Sequence, residues 1–124
     1  MKIEAVARQY QLTTPTLRYY EQQGLLGPIR RSHGIRDYQP ADLERLDFII
    51  CVKRCGMTLQ QIRHFIDIYQ QGDDTIPERL TILQDQLRAS RIRQAQLADS
   101  IDHLQEKIAD IEALQSASET TAVH

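Results

Sequence analysis

The stretch from Glu78 to Ser116 constrains the fold most, because it contains neither glycine nor proline. It is preceded by Thr75-Ile76-Pro77-Glu78, which has the threonine and glutamate spacing of a helix capping box, with the proline in the first turn. Roughly 40 residues at about 1.5 Å each predict a helix about 60 Å long, longer than a small domain can cover. We expect this helix over residues 75–116 and a flexible tail over residues 117–124.

Apolar residues recur along this segment with the seven-residue spacing of a coiled coil. The two apolar heptad positions hold Leu80, Leu87, Ile101 and Ile108, and Leu83, Leu97, Leu104 and Ile111. Ser90 and Gln94 interrupt the two rows midway. A helix that folds back on its own domain would cover only part of this stripe, and the chain has no second long helix. We therefore expect the stripe to pair with a second copy of the chain.

Charge and cysteine content narrow the class of protein. Residues 1–65 carry ten Lys and Arg against six Asp and Glu, and the rest carry five against eleven, so the balances of +4 and −6 sum to −2. A polyanionic partner would therefore meet the N-terminal half. No apolar run approaches the ~20 residues of a membrane span. We therefore expect no membrane attachment. Two cysteines are too few for a disulfide framework, so we expect a cytoplasmic protein.

Two short helices around a tight turn are predicted at the N-terminus. The first is indicated by apolar residues that share one helical face, namely Ile3, Val6, Ala7 and Tyr10. Thr13 supplies an N-cap hydroxyl for the second helix. Gly24 is placed to end that helix in the left-handed conformation.

A small hairpin and two further helices are predicted next. His33-Gly34 has the composition of a tight turn, because glycine accepts positive φ and histidine tolerates it better than most residues. Pro40 is predicted to open the third helix, and the Thr58 to Gln61 capping box the fourth. A linker loop over residues 71–74 then ends an N-terminal domain of residues 1–70.

Two helices around a turn, followed by a hairpin, form the outline of a winged helix-turn-helix, whose second helix enters the DNA major groove. The expected fold is therefore mainly all-α, with a DNA-binding domain and a long dimerisation helix. Six side chains suit phosphate contacts: Arg18, Tyr19, Arg36, Tyr38, Lys53 and Arg54. The same predicted elements are also compatible with a coiled-coil adaptor that does not bind DNA. An enzyme is not expected, because the four histidines lie far apart in sequence and there is no glycine-rich phosphate loop.

An ordered series of residues resembles the MerR family of transcriptional regulators. The series is Thr16-Leu17-Arg18-Tyr19-Tyr20-Glu21, Gly24-Leu25-Leu26, Pro28, Arg30, Gly34, Arg36, Tyr38, Asp42-Leu43-Glu44-Arg45-Leu46 and Gly56-Met57-Thr58-Leu59. The resemblance thus covers about the first 70 residues. Two positions depart from the family pattern. Gln11 stands where the turn usually holds a glycine, and Ile35 stands where the wing often holds an aromatic residue.

The resemblance implies an antiparallel coiled-coil dimer that binds a pseudo-palindromic operator inside an overlong promoter spacer. Effector binding would make the dimer bend and untwist this double-stranded DNA for RNA polymerase. Tyr20 would pack in the core. The DNA-binding residues implied are Thr16, Arg18, Tyr19 and Tyr38, with Arg36 on the first wing and Lys53 and Arg54 on the second.

The effector is expected to act through Cys51. Residues 75–124 contain no cysteine, which argues against the site of metal-sensing members, and no metal or cofactor is expected. The run from Cys51 to Leu59 resembles the aldehyde- and redox-responsive NmlR/AdhR-like branch, in which a matching cysteine is the proposed reactive thiol. Neighbouring Lys53 and Arg54 would favour its thiolate. Cys55 is the weaker candidate. The alternatives are a metal or disulfide pair of the two cysteines, and structural cysteines with a different effector or none.

Overall fold

The turn between the first two helices determines how the N-terminal unit begins. In the computed structural model, which describes residues 1–122, α1 spans Ile3–Tyr10 and α2 spans Thr14–Gln22. Gln11 adopts a left-handed conformation with φ of 56°, which explains why a glycine is favoured at this turn. The Thr13 hydroxyl accepts a hydrogen bond from the Thr16 N–H at 3.2 Å, so the predicted N-cap is confirmed.

The end of α2 turns the chain towards the wing. Gly24 has a φ of 77°, as predicted for a residue that ends a helix in the left-handed conformation. The N–H groups of Leu25 and Leu26 both donate to the Tyr20 carbonyl, at 2.9 and 3.2 Å. Because both leucine side chains are buried, this turn is anchored in the core.

The wing is a two-stranded antiparallel hairpin of β1 (Arg31–Ser32) and β2 (Ile35–Arg36). Its turn residues His33 and Gly34 have φ values of 53° and 78°, which confirms the predicted turn. Beyond the strands, the Asp37 N–H donates to the Arg30 carbonyl at 2.7 Å. The hairpin is therefore short and held at its base.

Helix α3 (Pro40–Arg54) and helix α4 (Leu59–Tyr69) follow the wing, and each begins with a capping box. For α4 the box is formed by Thr58 and Gln61, as predicted. For α3, where only Pro40 was predicted as the opening residue, it is formed by Gln39 and Asp42. Two reciprocal hydrogen bonds satisfy N–H groups that a helix start leaves without a partner. Both helix starts are thus specified locally.

One hydrophobic core holds these elements together. Its fully buried side chains come from the four helices α1 to α4 and from the turn after α2: Val6, Leu17, Tyr20, Leu25, Leu26, Leu46, Ile49, Ile62 and Ile66. The rings of Phe48 on α3 and Phe65 on α4 stack with centroids 4.9 Å apart. The burial of Tyr20, 2% exposed, confirms its predicted place in the core.

The connection to the last helix differs in detail from the predicted loop. A 3₁₀ turn covers Asp73–Thr75, and α5 runs from Ile76 to Ala122. The hydroxyl of Thr75 donates to the Gly72 carbonyl at 2.7 Å and accepts from Arg79 Nε at 3.1 Å, instead of forming the expected capping box with Glu78. Buried Thr75 thereby ties the turn to the start of α5.

Helix α5 extends beyond its expected end at Ser116. It continues to Ala122, whereas a flexible tail was expected from residue 117, because the intervening alanine, serine, glutamate and threonine residues include no helix breaker. Positions 123 and 124 of that tail lie outside the described residues. The mainly helical fold with a wing and a long C-terminal helix is confirmed.

The chain divides into two compact units, residues 1–86 and the part of α5 from residue 87 onward. Within the described part of the second unit, this helix is the only element. No helix in residues 1–122 is long and apolar enough to cross a membrane.

Candidate nucleic-acid interface

Helix α2 exposes one polar side and buries the other. Arg18 is exposed and Tyr19 is 46% exposed, whereas Leu17 and Tyr20 are almost fully buried. This division follows from the helical period, which turns neighbouring side chains about 100° apart. The two adjacent tyrosines therefore have different environments. Partly buried Thr16 lies at the start of the helix, with its hydroxyl 2.8 Å from that of Thr13.

The C-terminal end of α3 is linked to α2 through Lys53. Its Nζ donates to the Tyr20 hydroxyl at 3.3 Å and lies 5.8 Å from the centroid of that ring. Both Lys53 and Arg54 are exposed, as a phosphate-binding side chain must be. The buried tyrosine thus positions a cation of the predicted second wing beside the predicted recognition helix.

The first wing is linked to α2 through an ion pair that the sequence reasoning missed. Arg36 Nε donates to Glu21 Oε1 at 2.9 Å, and the two side chains are 23% and 18% exposed. This hydrogen bond is the main reason why the pKa of Arg36 is raised further above its ordinary value. The position of Glu21 at the end of the TLRYYE run was its only sequence signal. A carboxylate does not suit a phosphate contact, so the sequence pattern did not indicate this role.

Tyr38 lies in the core and not on the surface. It is 3% exposed, and its buried hydroxyl has no hydrogen-bond partner among the described residues. Burial raises the pKa of this tyrosine, and the Glu21 carboxylate raises it further, while Arg36 lowers it in part. A DNA contact through Tyr38, as expected from the sequence, would require the ring to leave this position. The side chain therefore supports the wing base from within in this conformation.

The predicted DNA-binding residues are brought onto connected elements. Those that are exposed or partly exposed are Thr16, Arg18, Tyr19, Arg36, Lys53 and Arg54. Two of them, Arg36 and Lys53, bond directly to residues of α2. On the wing, Arg31 Nη1 donates to the Gly34 carbonyl at 3.2 Å, and Ile35, which replaces the usual aromatic residue, is 53% exposed. Helix α2 and the two flanking cationic segments thus form one linked surface.

The two cysteines are exposed thiols near the end of α3, and they are not joined in a disulfide. Cys51 is therefore not buried in the core and has no packing role there. The backbone carbonyl of Cys55 accepts a hydrogen bond from Gln86 Nε2 at 2.6 Å. This bond links the end of α3 to α5 within the first unit.

The predicted dimerisation stripe is exposed along α5. All eight predicted residues are at least 36% exposed: Leu80, Leu83, Leu87, Leu97, Ile101, Leu104, Ile108 and Ile111. Leu114, one turn beyond Ile111 on the neighbouring row, is 69% exposed. The rows on either side are mostly polar, so the apolar side chains form a strip that is interrupted only at Ser90 and Gln94.

A wing and a second cationic segment linked to an exposed, donor-rich helix define a DNA-binding protein of the helix-turn-helix class. Comparison with protein families makes the assignment specific. Residues 1–67 match the model described as MerR HTH family regulatory protein, and residues 43–106 match MerR, DNA binding. The chain belongs to the MerR family, which confirms the resemblance seen in its sequence.

Three related proteins refine the placement within this family. The chain is 39% identical to the HTH-type transcriptional regulator AdhR of Bacillus subtilis over 87 residues, which are 69% of this chain. The same residues cover 62% of AdhR, so the match spans less than two thirds of that relative's length. An uncharacterised HTH-type regulator of Haemophilus influenzae is 32% identical, with 95% of this chain and 88% of that one covered. The crystal structure of HiNmlR, a MerR family regulator lacking the sensor domain and bound to promoter DNA, matches with a TM-score of 0.78 and 33% identity, covering 87% and 86%.

Proposed function

We propose that this MerR-type DNA-binding transcriptional regulator acts as a homodimer that binds a pseudo-palindromic operator in a promoter spacer and distorts the DNA. Promoter DNA and RNA polymerase would then be its partners, in the cytoplasm. The observation that carries the proposal is the surface formed by α2 with Arg36 and Lys53 bonded to it. HiNmlR, which is bound to promoter DNA, supports it as a structural relative.

Homodimerisation is supported by the exposed apolar strip on α5. At about 1.5 Å per residue, the 47-residue helix is about 70 Å long. The second unit contains no other described element that could cover the strip. An apolar strip of this length is costly to leave in water, since each Å² of apolar surface that is buried contributes about 25 cal/mol of favourable free energy. A second α5 packed antiparallel would bury it and would place two helix-turn-helix units on one operator.

The dimer is tested by replacing one strip residue and one matched residue outside the strip. Leu104 and Ile92 are similarly exposed, at 62% and 54%, but Ile92 lies at a heptad position remote from the apolar rows. Leu104→Gln should shift sedimentation towards the monomer, whereas Ile92→Gln should leave it unchanged. A wild-type chain that sediments as a monomer at micromolar concentration would refute the proposal.

DNA distortion is tested separately with a fluorescence-labelled duplex of the chain's own upstream promoter. Binding should shorten the end-to-end distance measured by energy transfer, because bending is how MerR-type regulators are expected to act on overlong spacers. Affinity should fall steeply with salt, since phosphate contacts release counterions. A salt-independent complex, or none, would instead favour the coiled-coil adaptor considered from the sequence.

For the effector, we propose that Cys51 senses a reactive electrophile such as an aldehyde. Its thiol is exposed, and Lys53 and Arg54 follow it in the same helix. The sulfur would add to the aldehyde carbon, forming the S–C bond while the carbonyl oxygen gains the proton, so that no oxidant is needed. Similarity to AdhR over 87 residues supports this branch of the family.

The sensor proposal is tested by transcription from the upstream promoter in the presence of formaldehyde. Cys51→Ser should abolish the response, whereas Cys55→Ser, the matched change of a second exposed cysteine in the same segment, should keep it. A response that persists in Cys51→Ser would favour the alternative, a regulator with a different effector or none.

A further inference from the structure

A cleft of about 400 Å³ lies between α3, α4 and the first turn of α5. This volume is within the range of small-molecule sites in proteins. None of its lining residues belongs to the predicted DNA-contacting set, and neither cysteine lines it. The cleft is therefore a feature that the proposed function leaves unused.

The floor of the cleft is flat and apolar. Phe48 and Phe65 stack with an interplanar angle of 28°, and Ile66 beside them is buried. Tyr69 adds a third ring, which is 52% exposed. An aromatic lining that runs from buried Phe65 through partly buried Phe48 to an exposed tyrosine ring suits a planar or apolar body, since such groups recover contacts that water does not supply.

Two arginines converge on the exposed ring. The guanidinium carbons of Arg45 and Arg79 lie 5.9 and 4.9 Å from the Tyr69 ring centroid. Both side chains are half-buried, and neither forms an ion pair within the described part of the chain. Arg79 Nε is bonded to the Thr75 hydroxyl, which orients that guanidinium. Two guanidinium groups that lack a carboxylate partner point to an anionic ligand.

The balance of charge favours a single negative group on an apolar body. Glu44 also lines the cleft, so the lining carries two positive charges and one negative charge. The planar fork of arginine matches the geometry of a carboxylate and can bind it through two parallel hydrogen bonds. A polyphosphate would leave the aromatic floor unused, whereas an aryl carboxylate would use both parts.

We propose that this cleft binds a small aromatic carboxylate, with the carboxylate on Arg45 and Arg79 and the ring on the Phe48 and Phe65 pair. The site joins α3 and α4 to the first turn of α5 through Arg79. Occupancy would therefore fix the start of α5 against the helices that carry the cations of the second wing. It would be a second input, independent of thiol chemistry.

The experiment is a titration of the ¹⁵N-labelled full chain with sodium benzoate, followed by NMR at constant ionic strength set with chloride. The backbone signals of the cleft residues and the Nε–H signals of Arg45 and Arg79 should shift, with a dissociation constant on the order of 1 mM for so small a probe. Benzamide, the neutral analogue, should bind at least about tenfold more weakly, because it offers no charge to the guanidinium groups.

Three variants identify the binding groups. Arg45→Gln should weaken benzoate binding at least about fivefold, and among the described residues the substitution removes only the contact of the Arg45 guanidinium with the Tyr69 ring, not a side-chain hydrogen bond. Arg63→Gln, an exposed arginine on α4 outside the cleft, is the matched control and should bind as wild type. Cys51→Ser should also bind as wild type, which separates this site from the thiol sensor.

Any of three results would overturn the proposal. The first is equal binding of benzamide and benzoate, and the second is unchanged affinity in Arg45→Gln. The third is cleft signals that respond to dilution of the protein and not to benzoate, because the cleft would then be an interface between copies of the chain.

Discussion

The ion pair between Glu21 and Arg36 allows a sharp test of how the wing is held. We predict that the two side chains are energetically coupled, so that the loss of both costs less than the sum of the separate losses. The perturbations are Glu21→Gln, Arg36→Gln and the double variant. Glutamine keeps the approximate shape of each side chain and removes the charge.

The geometry sets the expected magnitude. At 2.9 Å, opposite charges attract by on the order of 5 kcal/mol at an effective dielectric constant of about 20. Desolvation and side-chain ordering offset most of this attraction, and fully exposed pairs retain about 0.2–1 kcal/mol. Because the two side chains are only 18% and 23% exposed, we expect a coupling free energy of about 1 kcal/mol, above that of most surface pairs.

The assay is urea unfolding of the four proteins at one fixed concentration, since pairing of α5 would make stability depend on concentration. Arg31→Gln is the matched control, because the side chain of this arginine, on the strand opposite Arg36, bonds only to the Gly34 carbonyl among the described residues. Combined with Glu21→Gln, it should give additive losses. A coupling below about 0.3 kcal/mol for the Glu21–Arg36 pair would refute the reasoning, since that is the usual error of additivity.

Three further substitutions, at Tyr38, Thr58 and Arg18, test other parts of the fold and of the candidate interface. Tyr38→Phe should leave stability at neutral pH equal or higher by up to about 1 kcal/mol, because it removes a buried hydroxyl without a described partner, and DNA affinity should stay within about twofold. Burial raises the pKa of Tyr38, so at alkaline pH the folded state retains the phenolic proton that the unfolded state loses. The free energy of unfolding should therefore fall as pH rises above about 10, and alkaline unfolding should show a smaller fall in Tyr38→Phe. Thr58→Ala should lower the free energy of unfolding in urea by about 1 kcal/mol through loss of the α4 cap, and an unchanged value would contradict the capping box. Arg18→Ala should reduce the salt slope of operator binding by about 0.9 per protomer, whereas Arg63→Ala should retain it; full affinity in Arg18→Ala would count against α2 as the recognition helix.

Local chemistry explains which parts of the fold could be predicted. The cap at Thr13, the left-handed Gly24 and the His33-Gly34 turn each depend on the residue itself and its immediate neighbours. Such signals survive in a single sequence because few residues can adopt these conformations at low cost. The 3₁₀ turn before α5 was not predicted, because the Thr75 hydroxyl was expected to cap α5 and instead donates to the Gly72 carbonyl.

The candidate interface was only partly predictable for a related reason. Arg18 and Tyr19 could be assigned to the surface because the helical period separates them from Leu17 and Tyr20. Tyr38 follows a strand of only two residues, so no period indicated which way it would face, and the structure buries it.

The sequence alone therefore determined the order of elements, the family and the apolar strip that calls for a partner helix, because each rests on local pattern or on a run of matching residues. Only the tertiary structure decided that Glu21 holds the wing, that Tyr38 lies inward, and that Arg45 and Arg79 each lie against the Tyr69 ring. The ion pair and the two arginine–ring contacts join residues that are 10 to 24 positions apart, and their geometry depends on how the helices pack. No local rule of charge or periodicity specifies that packing, which is set by the shape of the shared core.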